Sequence, residues 1–153
     1  MAEYSANAVQ IVASNGSVVF TEAPVPCTRG LVRHRDGSGS FLLRGYVPQM
    51  PCGCCAKSAE YLCMFRANIA VPTGGTAEQI SLALAIDGSV IPTSTMIVTP
   101  AAVEEYFNVS CAVNAQIWRG CCETLSIVNT SDQAILVQNA NIVISRPDLV
   151  MSR

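Results

Sequence analysis

"EYLCMFRANIAVPTGGTAEQISLALAIDG", residues 60–88, decides the fold. In its first half Tyr61, Cys63, Phe65, Ala67 and Ile69 fall on one side of an extended chain. Glu60, Arg66 and Asn68 fall on the other, together with Leu62 and Met64. A period of two is the signature of a strand, because successive side chains of extended backbone point to opposite faces. "PTGGT" then supplies turn chemistry. The second half repeats the alternation, with Ile80, Leu82, Leu84 and Ile86 against Ser81, Ala83, Ala85 and Asp87.

The same rhythm extends in both directions. "VQIVAS" and "SVVFTEA" flank Asn15-Gly16, a strong hairpin signal, and "LVRHR" and "SFLLRGY" flank the turn cluster "DGSGS". "TMIVT", "EYFNVSCAV", "ETLSIVN" and "AILVQNANIVISR" complete a series of about ten strands spaced 8–14 residues apart. This spacing points to an all-β sandwich or closed barrel. "PAAVEEYF" could open a short helical turn after Pro100. The reading gives one domain with a core over about 7–146 and a short C-terminal tail, 147–153, that leaves the sheet at Pro147.

Composition narrows the function. Half of the 153 residues are hydrophobic and only 13% are charged, against about 25% charged in an ordinary soluble domain. So thin a polar surface implies that apolar area is buried between subunits. The net charge is -2, and Lys57 and the arginines are spread along the sequence, which argues against a nucleic-acid partner. No apolar run approaches the ~20 residues of a membrane span. The N-terminus, "MAEYSANAVQIVASNG", has no signal-peptide pattern.

The order of signatures resembles a known family. An aromatic strand, "EYLCMFRANIAV", leads through "PTGG" into "ISLALAIDGSVI". There follow "EYFNVSCAV", a Gly-Cys-Cys turn, "ETLSIVNTS" and "ILVQNANIVISR". Over roughly residues 7–146 this is similar to the jelly-roll head of tumour necrosis factor and complement globular domains. The form it resembles is that of bacterial spore-surface glycoprotein heads and phage or prophage structural proteins. The resemblance implies a ten-stranded jelly roll that assembles as a homotrimer, with apolar strand faces buried about a threefold axis. No collagen-like stalk precedes the head here, and the cysteine clusters are foreign to the family.

Catalytic templates find little support. His34, the single histidine, sits in "RHRDG" and reads as a solvated or hydrogen-bonded turn residue. Adjacent Glu104 and Glu105 would face opposite ways on a strand, and "PTGGT" lacks the lysine and the helix of a phosphate loop. No catalytic residue, cofactor or metal site is expected. The eight cysteines are unusual for a chain lacking an export signal. Their C-x-C-C and C-C spacings suit neither tetrahedral zinc nor a redox pair. Cys63 and Cys111 lie on apolar strand faces and read as buried small hydrophobes. Cys27, Cys52, Cys54, Cys55, Cys121 and Cys122 lie in loops and are disulfide candidates, within a chain or between subunits.

The sequence thus points to a non-enzymatic, self-assembling jelly-roll subunit of a surface layer, an appendage or a virion decoration. It would be reinforced by disulfides and would reach the outside of a spore or virion without a signal peptide. Tyr61, Phe65, Tyr106 and Phe107 are its expected packing residues, and Trp118 packs or anchors at the surface. Its expected partner is itself, as a trimer or a higher-order fibre or lattice. Two alternatives stand beside it: a receptor- or glycan-binding fibre head using loops 45–58 and 114–122, and a small metal-binding module.

Overall fold

The computed structural model describes residues 1–27, 29–48 and 57–147. Two antiparallel sheets face each other. The first contains β1 (Ala2–Ala6), β2 (Gln10–Val12), β3 (Glu22–Val25), β6 (Ser58–Ala70), β10 (Phe107–Trp118) and β12 (Ile135–Ser145). Its spatial order is β10-β6-β12-β1-β3, with β2 also on β12. The second contains β4 (Val32–His34), β5 (Ser40–Arg44), β7 (Ile80–Ile86), β8 (Ser89–Val90), β9 (Met96–Val98) and β11 (Cys122–Asn129). Its order is β4-β5-β11-β7-β8, with β9 on the other end of β7. Neighbours distant in sequence, such as β1 with β12, make this a jelly roll rather than a meander.

The core lies between the sheets. The β6 face expected inside is inside: Tyr61, Cys63, Phe65, Ala67 and Ile69 are all buried. Ile80, Leu82 and Leu84 of β7 and Leu125 and Ile127 of β11 face them from the second sheet. Phe20, Phe41 and Phe65 meet edge-on at centroid distances of 5.2 and 6.4 Å, the arrangement that ring quadrupoles favour.

Several elements differ from the expectation. Asn15-Gly16 is a tight turn, with Asn15 at φ +63° and Gly16 N–H bonded to Ala13 O at 2.8 Å, but it closes no hairpin. Before the turn β2 pairs with β12; after it Ser17 bridges to Val128. The turn carries the chain from one sheet to the other. Local turn chemistry was right, and the long-range pairing overrode the local partner. The first sheet begins at Ala2, ahead of the expected start at residue 7, with Tyr4 buried against Phe41. "PAAVEEYF" forms turns rather than a helix, with Glu104 at φ +57° and its N–H bonded to Val71 O. A three-residue 3-10 turn occurs instead at Pro92–Ser94.

Candidate functional site

Two regions carry the chemistry expected from the sequence. The first is the end of the sandwich where β10 turns into β11. Gly120, at φ +81°, lets the chain reverse there. This turn is laced to two other segments. Gly45 N–H bonds Cys121 O at 2.7 Å, Gly120 N–H bonds Gly45 O at 3.0 Å, and Arg119 N–H bonds Lys57 O at 2.9 Å. A Cβ at Gly45 would collide with the carbonyl oxygen of Trp118, so the close approach demands glycine. Cys121 and Cys122 are exposed free thiols beside Arg44, Tyr46 and Arg119, which share with them a depression of about 260 Å³. Cys52, Cys54 and Cys55 lie outside the described residues, between the two anchors Gly45 and Lys57.

The remaining cysteines divide by environment. Burial pushes Cys63 up to about 12, with Cys111 adding to it. Cys111 is half-buried and raised by burial, partly offset by a backbone hydrogen bond from Phe65. Both are poor nucleophiles. Cys27 is different. Burial raises it, but the backbone N–H groups of Val32, Arg29 and Leu31 together outweigh burial and leave its thiol below the ordinary value. Cys27, Cys63, Cys111, Cys121 and Cys122 are all free. Among the described residues no three histidine, cysteine or acidic side chains gather as a metal site.

The second region is the outer face of the first sheet. Register places Val25, Glu3, Val143, Met64 and Ala112 side by side across β3, β1, β12, β6 and β10. Met64 is 40% exposed. Glu3, Val143, Met64 and Ala112 line a shallow depression of about 450 Å³ with Arg66, Ser110 and Asn141. An amide ladder crosses the same face: Asn108 Nδ2 donates to Asn68 Oδ1 at 3.1 Å, and Asn68 Nδ2 to Asn139 Oδ1 at 3.3 Å. Asn139, at φ +55°, sits in the β12 irregularity. β10 is an edge strand.

The aromatic expectations divide. Tyr61 and Phe65 are buried, and the Tyr61 hydroxyl donates to Arg44 O and Leu31 O while Arg146 lies over its ring at 5.0 Å. Tyr106 and Phe107, expected to pack, remain 39% and 37% exposed in the chain. Phe107 opens β10, which among the described residues has only β6 beside it in the sheet. Trp118 closes the same strand on its outward side at 55% exposure, a surface position. His34 stacks on Phe41 at 4.4 Å, with its ring nitrogens 3.0 and 3.1 Å from the carbonyls of Ser40 and Phe20. It is a bonded structural residue. The apolar row and the amide ladder were missed by the sequence reading, although their signal was the outward half of each alternation.

No protein-family model and no curated protein matches the chain. Solved structures do. The globular domain of zebrafish complement 1qA aligns over 93% of this chain and 94% of its own, at 11% identity and TM-score 0.56. The Eiger tumour necrosis factor of S. frugiperda aligns over 95% and 90%, at 11% identity and TM-score 0.63. Murine APRIL aligns over 94% and 98%, at 10% identity and TM-score 0.59.

The fold is that of the complement/tumour-necrosis-factor globular head. Within that fold β6 and β12 form the centre of the first sheet, and the cysteine-bearing turn lies at one end of the sandwich. At such identities the likeness fixes the architecture and leaves function to this chain's own residues.

Proposed function

We propose that this chain is a non-enzymatic structural protein, a self-assembling jelly-roll subunit of an extracellular surface layer on a spore or virion. The observation that carries it is the run of apolar side chains Val143, Met64 and Ala112 across three strands of an otherwise polar, solvent-facing sheet, with Glu3 beside Val143. A sheet face open to water would place polar groups there; burial against second and third copies returns about 25 cal/mol for each Å² of apolar area covered. The amide ladder borders the row and would set the register of the contact. The reading takes the assembly as a homotrimer.

Disulfides would reinforce it. The turn holding Cys121 and Cys122 is bonded to Gly45 and to Lys57. Cys55 precedes Lys57 by two residues along the chain and Cys52 by five. Thiols tethered so closely can pair within a chain, or with the same end of a neighbour. Each bond would add about 2–4 kcal/mol. Non-reducing electrophoresis of oxidised protein tests this: bands at multiples of the chain mass that collapse with reductant support inter-subunit links, and a single monomer band overturns that part.

A second reading has one observation in its favour. Trp118 and Tyr46 are both exposed at this same end, and exposed aromatics are common anchors for sugars or receptors. A glycan array with hits lost on Trp118→Ala supports a binding head, and an array without hits opposes it.

A further inference from the structure

The outer face of the second sheet, on the far side of the sandwich from the apolar row, concentrates positive charge. Arg33 lies in strand β4 and Arg35 just past its end, and both line one depression. Arg33 pairs with Leu42, which pairs in turn with Thr124. One row further along, Arg44 of β5 lies opposite Cys122 and donates its N–H to Leu31 O at 2.9 Å. Arg33 and Arg44 therefore occupy successive outward rows about 6.6 Å apart, and Arg35 lies beyond the end of β4 beside Arg33. All three are exposed. Arg119, beside Arg44 in the neighbouring depression, continues the line to the corner of the sandwich.

Among the described residues none of Arg33, Arg35 and Arg44 is in an ion pair. A depression of about 530 Å³ is lined by Arg33, His34, Arg35, Ser38, Ser40, Leu42 and Thr124, with no carboxylate among them. Asp87 accepts the Thr124 N–H at 2.7 Å beyond the row of Arg33, Leu42 and Thr124, and Asp36 follows Arg35 in the turn; neither carboxylate lines the depression. The floor is stiff, because His34 is stacked on Phe41 and held by two carbonyls. Hydroxyls of Ser38, Ser40 and Thr124 stand between and beside the guanidinium groups.

We infer that this face binds an acidic polysaccharide, laid along the strands with carboxylate or sulfate groups on Arg35, Arg33 and Arg44. Guanidinium forks match both oxyanions bidentately. The serine and threonine hydroxyls complement the hydroxyl groups of the sugars. A nucleic acid fits less well. Duplex DNA carries one charge per about 1.7 Å of axis, roughly four times denser than this ladder. Stacking of single-stranded bases needs aromatic platforms, whereas Ser40, Leu42, Thr124 and Ser126 occupy the face. The site is independent of the assembly reading, since it uses the opposite sheet.

The test is equilibrium binding of the full chain to immobilised polygalacturonate (carboxylate) and dextran sulfate (sulfate), at about 50 mM NaCl and again at higher salt. Binding to either polymer that weakens with salt is expected, and the preferred polymer names the acid group. Arg33→Ser/Arg35→Ser should weaken binding at least ~10-fold, with an unchanged circular-dichroism melt. Ala101→Glu/Ala102→Glu, on the exposed loop before β10, changes net charge equally and should stay within ~2-fold. Failure of the wild-type chain to bind either polymer overturns the inference, as does an equal loss in both variants. Tighter binding of a short DNA duplex in the same buffer also overturns it.

Discussion

The buried thiol of Cys63 makes the stability of this fold sensitive to alkali in a calculable way. Its side chain points between the sheets, with Val113 of β10 and Ile144 of β12 as its flanking partners. Burial raises its pKa from 9.0 to about 12. The unfolded chain therefore releases this proton near pH 9, while the folded chain holds it to about pH 12. Between those values the folded state binds more protons, so stability falls as pH rises; below pH 9 the term is flat. One pH unit above the unfolded value, at pH 10, Cys63 alone removes about 1.4 kcal/mol, and the loss approaches roughly 4 kcal/mol at pH 12. Urea unfolding at pH 8 and pH 10, for the wild type and for Cys63→Ala, measures it. The alanine variant starts lower because of the space it leaves, so the quantity of interest is the drop between the two pH values. That drop should be smaller in the variant by about 1.4 kcal/mol. Tyr4 and Tyr61, also raised by burial, contribute to both proteins and cancel. Equal drops in the two proteins would refute the reasoning, because the thiol would then ionise in the core as readily as in water.

Other substitutions test other parts of the structure. Tyr61→Phe removes the donor to the carbonyls of Arg44 and Leu31 while leaving the ring under Arg146; it should cost about 1–3 kcal/mol in a thermal or urea melt. Phe65→Ala empties a fully buried site beside Phe20 and should cost about 3–5 kcal/mol by the same measurement. Met64→Asp, on the outer face, should leave the melt of the isolated chain within about 1 kcal/mol and still shift sedimentation toward monomer, since it buries an unpaired charge in the proposed contact. Cys121→Ser/Cys122→Ser should remove reductant-sensitive bands on a non-reducing gel.

What the sequence made legible follows from the period of two. Along β6 the alternation runs unbroken from Tyr61 to Ile69, so the inward face could be read residue by residue, and β7 repeats it with leucine and isoleucine. The likeness to the globular head rested on the order of such strands. Pairing across the chain was harder to see. Asn15-Gly16 carries hairpin chemistry, but β12 and Val128, more than a hundred residues away, take the partners that the turn alone would have matched. Ala2, Tyr4 and Ala6 alternate too, yet two of the three are alanines, whose burial is weakly signalled by hydrophobicity. Tyr106 and Phe107 look like core by type and remain exposed, Tyr106 just before β10 and Phe107 at the first position of that edge strand. The arginine line escaped for a related reason. Arg33, Arg35 and Arg44 form no cluster in sequence, and only the β4–β5 register brings Arg44 into the row next to that of Arg33.

The central claim is that the outer face of the first sheet is made to be covered by other copies of the chain. Sedimentation velocity of fully reduced protein at about 10 µM, where affinities tighter than micromolar register, tests it most directly, because disulfides then contribute nothing. The account predicts a species of three chain masses that dissociates on Met64→Asp. A lone species of 16.2 kDa in the wild type would contradict it.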